Sequence, residues 1–301
     1  MTTFRQASQW LVLLLAVAAL AACGAAPDAG SAGSAPAGEQ AGIDDAIIQE
    51  ALPAGGEDAQ ARLAASPRHG EWAVVRTDAG DSVRVWVVYP ERPDPAPVVL
   101  VVHEIFGLSH WVRAVADQLA AEGFIAIAPD LLTMQNIPVG ADGAPDADAA
   151  RAAIGQLQRA DIHRQLLAVA EYGMSLPAAT DRYGIVGYCW GGTVSFTHAI
   201  ESPGLDAAVV YYGTSPATEE LGAIQAPVLG LYGGNDARVN TTIAPAAEAM
   251  QALGKSFEYE IYVGAGHGFL RQQDGADGAN LAATREAWPR TIAFFREHLE
   301  Q

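Results

Sequence analysis

The chain of 301 residues has only two cysteines, Cys23 and Cys189, and only one lysine, Lys255, among its seventeen basic residues. So few thiols exclude a disulfide framework, and their spacing excludes a C-x-x-C redox pair. Arginine in place of lysine reads as a bias of composition rather than of function. Basic charge is scarce as a whole, with 17 Lys and Arg against 35 Asp and Glu, a net charge of −18 and a pI near 4.6. Such a chain lacks the basic face that DNA, RNA or an anionic membrane surface requires, so no nucleic-acid partner is expected. No long apolar run is present either. The stretch from Trp10 to Ala22 falls short of the roughly 20 apolar residues that a membrane-spanning helix needs. Metal-ligand spacing is also missing, because His103-Glu104 has Gly107 where H-E-x-x-H wants its second histidine. No metal and no cofactor are expected. What remains is a chain that is half apolar, with 31 Gly and 17 Pro, long enough for one large α/β domain plus appendages.

The apolar stretch after Arg5 reads as a signal peptide. It ends in Leu20-Ala21-Ala22-Cys23-Gly24, which resembles the lipobox of bacterial lipoproteins, in which the cysteine becomes the lipidated first residue. The alternatives are a plain secretory signal with an incidental Cys23, or a short uncleaved anchor. The lipobox reading implies an exported protein, periplasmic or at the cell surface, that meets the membrane only through a lipid on Cys23. Cys189 is then its one free thiol. Residues 24–67 are dominated by Ala, Gly, Ser, Pro and acidic residues and read as a flexible tether, with one apolar patch around Ile47-Ile48 that suggests a short docking helix. The folded domain is expected over residues 68–301, as a monomer.

Strands are expected over 71–76, 83–89, 98–103, 124–128, 183–186, 207–212, 228–232 and 258–263. The first two alternate, as an antiparallel edge pair does, and the later ones are continuous apolar runs suited to parallel strands buried on both faces. Helices are expected over 111–121 after Ser109, 162–173 after Asp161, 191–199, 243–253 before Gly254, and 282–299. Alternating strands and helices predict an α/β fold with a mostly parallel sheet of about eight strands covered on both faces. Ligands in such sheets sit at the carboxyl ends of the strands.

Three chemically suggestive residues follow strand ends. Cys189 lies in Gly187-Tyr188-Cys189-Trp190-Gly191, a G-x-C-x-G turn between a strand and a helix that would lift the sulfur out of the sheet. Asp236 lies in Gly233-Gly234-Asn235-Asp236 and His267 in Gly264-Ala265-Gly266-His267-Gly268. Each alone has a plainer reading: a buried structural cysteine, an Asx turn, a loop histidine. Together they keep the order nucleophile, acid, histidine of the α/β-hydrolase fold, in which the histidine would manage the thiol proton and the acid would fix the imidazole tautomer.

A fourth motif, His103-Glu104-Ile105-Phe106-Gly107, follows the strand at 98–103. With it, the chain from Arg68 onward resembles the dienelactone hydrolase family, a cysteine-using branch of the α/β hydrolases. The resemblance implies that Glu104 contacts the resting thiol and takes part in its activation, that the backbone N–H groups of Ile105 and Trp190 form the oxyanion hole, and that arginines bind an anionic substrate. Arg271, four residues after His267, matches one such arginine; Arg151, in the variable region before the elbow, is a candidate for the other. Glu104 otherwise reads as a solvated loop carboxylate, Arg151 as an exposed helix residue, and Arg271 as a cap on the loop after it. Residues 131–149, with two prolines and three aspartates, read as a lid-like loop and are where the chain departs most from the family. The expected function is hydrolysis of a small, carboxylated lactone or ester through a cysteine acyl-enzyme. The alternative is a tethered binding protein on a silent hydrolase scaffold, since fold alone does not imply activity.

Overall fold

The computed structural model describes residues 50–301; Cys23, the signal peptide, Ile47-Ile48 and the tether as far as residue 49 lie outside them. All eight expected strands form, as β1 (Gly70–Arg76), β2 (Ser82–Val88), β3 (Ala96–Val102), β4 (Ile125–Asp130), β5 (Ala179–Tyr188), β6 (Ala207–Tyr211), β7 (Val228–Gly233) and β8 (Phe257–Tyr262). They make one sheet in the order β1-β2-β4-β3-β5-β6-β7-β8. β2 pairs antiparallel with β1 and β4, and every later pair is parallel.

The apolar runs explain the two-sided burial. Every residue of β3 is buried, and because side chains alternate along a strand, Val99 and Val101 enter one core while Val98, Leu100 and Val102 enter the other. The first core is closed by α2 (His110–Ala121) and the C-terminal α8 (Ala279–Leu299), through Trp111, Val115, Leu119, Trp288 and Phe295. The second is closed by α4 (Arg159–Met174), α5 (Trp190–Glu201) and α7 (Ile243–Ala252), through Leu166, Val169, Phe196 and Met250. Each such large side chain contributes about 1.5–3 kcal/mol through burial.

Two segments differ from expectation. The stretch from residue 50 to 67 is packed on the domain rather than a tether: Leu52, Ala54 and Ala59 are buried, and Ala59–Ala65 forms the helix α1. The reason lies in its backbone. Trp111 Nε1 donates to the carbonyl of Ala54 at 3.0 Å, Gln273 Nε2 to that of Pro53 at 2.8 Å, and Gly56 N to that of Arg271 at 2.7 Å. The lid-like stretch is also more ordered than a loop. It holds a 3-10 turn at Thr133–Gln135 and an isolated bridge between Val139 and Pro145. It then runs into α3 (Ala147–Ile154), whose start is capped by Asp146 accepting from Ala149 N at 2.8 Å. Leu132, Ala150, Ala153 and Ile154 pack there against Ile105 and Trp190, so this segment braces the loops at the strand ends.

Candidate active site

Cys189 stands between β5 and α5 with φ 57° and ψ −116°, a conformation that a side chain adopts only when its surroundings impose it. Its neighbours do so. Cys189 N donates to the carbonyl of Tyr211 at 3.0 Å, and the flanking glycines permit a close approach: a Cβ at Gly187 would collide with the carbonyl of Gly191, and one at Gly191 with the carbonyls of Val102 and His103. Burial and then the charge of Glu104 push the thiol pKa up. The backbone N–H of Trp190, the charge of Arg238 and the backbone N–H of Ile105 pull it down. The two amides thus lie close enough to the sulfur to favour its charged form, one from the elbow and one from the loop after β3.

Asp236 and His267 are brought together at the ends of β7 and β8. His267 Nδ1 donates to Asp236 Oδ2 at 2.5 Å, which leaves Nε2 as the basic nitrogen. Asp236 is buried, and its other oxygen caps the short helix α6 (Ala237–Asn240) by accepting from Val239 N. The edge of Tyr212 meets the His267 ring at a centroid distance of 5.2 Å. Asn280 of α8 pins the loop beneath it, accepting from Gly266 N at 2.9 Å. No hydrogen bond joins His267 to Cys189 in this resting arrangement.

Glu104 is not a solvated loop residue: it is 3% exposed. Its Oε2 accepts from Arg271 Nε at 2.6 Å. Burial pushes the carboxyl pKa up, and the Arg271 partner pulls it back. An unpaired charge there would be costly, so Arg271 is what allows a carboxylate beside the sulfur. Arg271 and Arg151 also meet at one side chain, their guanidinium carbons lying 5.0 and 5.4 Å from the centre of the Phe106 ring. Arg151 is half-exposed and bonded to Asp148 at 2.8 Å, so it lies at the rim while Arg271 reaches inward. A cavity of about 710 Å³ opens between Phe106, His110, Trp111, Ala144, Arg271 and Gln272. Cys189 is not on its wall; the cavity leads to the arginine rather than to the sulfur.

One residue escaped the sequence reading, and another was read only as part of a motif. Arg238, two positions after Asp236, is exposed yet close enough for its charge to favour the Cys189 thiolate. No motif marks it, although a cation following the candidate acid was a usable cue. His103 is fully buried, donates Nδ1–H to the carbonyl of Glu104 at 2.7 Å and stacks on Trp190 at 5.4 Å. It therefore ties together the two loops that carry the amides of Ile105 and Trp190.

The chain has relatives among known proteins. A model of the "Dienelactone hydrolase family" matches residues 83–299. The chain belongs to this family. The Escherichia coli K12 protein named "Putative carboxymethylenebutenolidase" is 29% identical over 231 residues, 73% of this chain and 84% of its own. The protein of the same name from Saccharolobus solfataricus is 29% identical over 248 residues, 72% of this chain and 95% of its own. Among solved structures, the "Putative Dienelactone Hydrolase" of Klebsiella pneumoniae superposes with a TM-score of 0.65 at 28% identity, covering 76% of this chain and 98% of that one. The fold is that of the α/β hydrolases, with its eight-stranded, mostly parallel sheet.

Proposed function

We propose that this hydrolase opens small carboxylated lactones or esters through an acyl-enzyme on Cys189, with Asp236 and His267 completing the machinery. The observation that carries this reading is the convergence on one sulfur of a strained elbow, two amide donors and a buried carboxylate, beside an imidazole already oriented by Asp236. In the proposed reaction Cys189 Sγ attacks the substrate carbonyl and its proton passes to His267 Nε2. The carbonyl oxygen takes the developing negative charge between the N–H groups of Trp190 and Ile105, each such donor being worth about 2.7–4 kcal/mol in the transition state. His267 returns the proton to the departing alkoxide, and water, deprotonated by the same nitrogen, then cleaves the thioester.

The substrate carboxylate would meet Arg271, with Arg151 and Arg238 at the margins. Pairing with the substrate would draw Arg271 from Glu104, whose freed carboxylate would then relay the thiol proton to His267. A solitary thiol would in this way be ionised only when substrate is present. Export and lipid anchoring through Cys23 complete the reading, on the strength of the N-terminal sequence alone.

The direct test is mass spectrometry of the full chain quenched during turnover of an activated ester or enol-lactone. An acyl adduct on the peptide that contains Cys189 is expected, with none in Cys189→Ala. Turnover with no adduct, and undiminished in Cys189→Ala, would remove the mechanism. For the anchor, Cys23→Ala should abolish incorporation of labelled fatty acid and release the protein from membranes. An unlabelled, soluble unaltered chain would leave an ordinary secretory signal.

A further inference from the structure

The groove beside β1 and β2 holds an arginine, Arg113, that pairs with no carboxylate among the described residues. Trp72 and Trp86 lie opposite each other in the β1/β2 register, their rings edge to face at 5.2 Å. Arg84 is two residues before Trp86 and hence on the same face of the sheet, with its guanidinium 4.4 Å from the centre of the Trp72 ring. Arg113, from α2, stands over both indoles at 5.5 and 5.7 Å. These four side chains, with Arg68 and His110, border a cavity of about 520 Å³.

The charges there are unevenly matched. Arg68 engages Asp117 through two of its nitrogens. Arg84 reaches a single oxygen of Asp130 at 3.4 Å. Arg113 has no carboxylate within ion-pair distance among the described residues, and its Nε is buried without a hydrogen-bond partner. Asp142 is the carboxylate that acts on it, from beyond that distance, while lying 4.0 Å from His110 Nδ1. Burial and the like charge of Arg84 both push the Arg113 pKa down. An arginine on an ordinary solvated face would keep its nitrogens in water. In a chain of net charge −18, this half-buried, unneutralised cation beside two indoles is a local departure that an anion would relieve.

We propose that this groove is a second binding site, one that takes a small planar carboxylate, with the anion held by Arg113 and Arg84 and its unsaturated or aromatic body laid along Trp72 and Trp86. The planar fork of arginine suits the two oxygens of a carboxylate. The indole faces give a flat hydrocarbon an apolar surface that a bare inorganic anion would leave unused. The site is separate from the Cys189 cluster: of the residues bordering the cavity beside Arg271, His110 is the one shared with this groove.

Calorimetric titration of the full chain with naphthoate tests this, in a Cys189→Ala/Arg271→Met background that silences the first site. Saturable binding is expected. It should weaken on the order of tenfold in Arg113→Met and for the neutral naphthamide, as loss of a charge-assisted contact implies. It should weaken by several-fold in Trp72→Ala and in Arg84→Met, both at partly exposed positions where the fold tolerates change. Circular dichroism checks that Arg113→Met is folded, and Arg84→Met carries the test if it is not. Absence of saturable binding in the background chain would overturn the site. So would equal affinity for acid and amide, or indifference to both arginine substitutions.

Discussion

Two buried polar clusters in this molecule solve the same physical problem in opposite ways. At the strand ends, Glu104 is buried as one half of an ion pair with Arg271, next to a strained cysteine. Between α4 and α5, His163 and His198 are buried as a stacked pair with their Nδ1 atoms 3.2 Å apart, and Tyr183 Oη contacts both His198 Nε2 and Ser202 Oγ. One imidazole of that pair must donate and the other accept, which requires the acceptor to be neutral, and burial disfavours a charge on the donor as well. Burial, with Arg159 adding to it, takes His163 down to about 4; burial, with His163 adding to it, takes His198 down to about 3. Shifted ionisation therefore marks both clusters and singles out neither. What distinguishes the first is that its carboxyl is met by an arginine that a ligand could draw away, and lies beside a strained cysteine with two amides close to its sulfur. The second, made of His163, His198, Tyr183 and Ser202, has neither a carboxyl nor a cysteine among its side chains.

Substitution should separate them. Cys189→Ala should lower kcat/KM for an activated ester by roughly 10⁴-fold or more while leaving the melting temperature almost unchanged, since a nucleophile is lost but only a small side chain removed. A fall in both together would mean that the elbow is a structural cysteine. A smaller effect is expected at the ion pair. In Arg271→Met, kcat/KM for a carboxylated lactone should fall by about 1.5–3 kcal/mol, and for its neutral methyl ester much less. Equal losses on both substrates would remove the carboxylate from the reading and leave the nucleophile standing.

The features legible in the sequence were those written in contiguous residues. β3 declares itself as Ala96-Pro97-Val98-Val99-Leu100-Val101-Val102 because a strand buried on both faces cannot alternate. The places of Cys189, Asp236 and His267 at strand ends were legible because turn-forming glycines stand beside each at the end of such a run. The position of β4 between β2 and β3 was not legible, because pairing between distant strands leaves no local trace. Residues 50–66 were misread for a related reason. Their small side chains carry little hydrophobic signal, and what holds them is a set of backbone carbonyls met by Trp111, Gln273 and Arg62. In α3 the spacing of Ala150, Ala153 and Ile154 was a helical cue hidden by alanine. Arg238 came into view only when the fold brought α6 near the sulfur.

The histidine pair gives an effect of comparable size, on stability. Both folded pKa values lie below the ordinary value near 6.5, so the unfolded chain takes up protons first as pH falls. The contribution of the pair is therefore whole above about pH 6.5 and is lost toward the folded values of about 4 and about 3. Urea unfolding should show a loss of about 3 kcal/mol between pH 6.5 and pH 5, about half from each histidine. The joint replacement His163→Leu/His198→Leu, which removes donor and acceptor together, should flatten that dependence and leave kcat/KM near that of the unaltered chain. An unchanged pH slope in this variant would show that the pair is not kept neutral by the fold.

The smallest and most diagnostic effect concerns Glu104 itself. After burial, the negative charge of Glu104 is the largest influence holding the Cys189 thiol above its ordinary pKa, while Arg238 and the amides of Trp190 and Ile105 oppose it. Glu104→Gln is nearly isosteric, removes that charge and leaves Arg271 without its carboxylate partner, so both consequences favour the thiolate. The pH profile of alkylation by iodoacetamide should therefore move to lower pH, and labelling at neutral pH should quicken. Catalysis should fall, since the group that would relay the thiol proton to His267 is gone. That combination, a more reactive resting thiol in a poorer enzyme, is what substrate-dependent activation requires, and a merely structural Glu104 would not produce it. If the profile stays in place or moves to higher pH, the carboxylate does not restrain the sulfur. The ion pair with Arg271 would then be a brace for the loop after β3, closer in kind to the histidine pair than to a catalytic device.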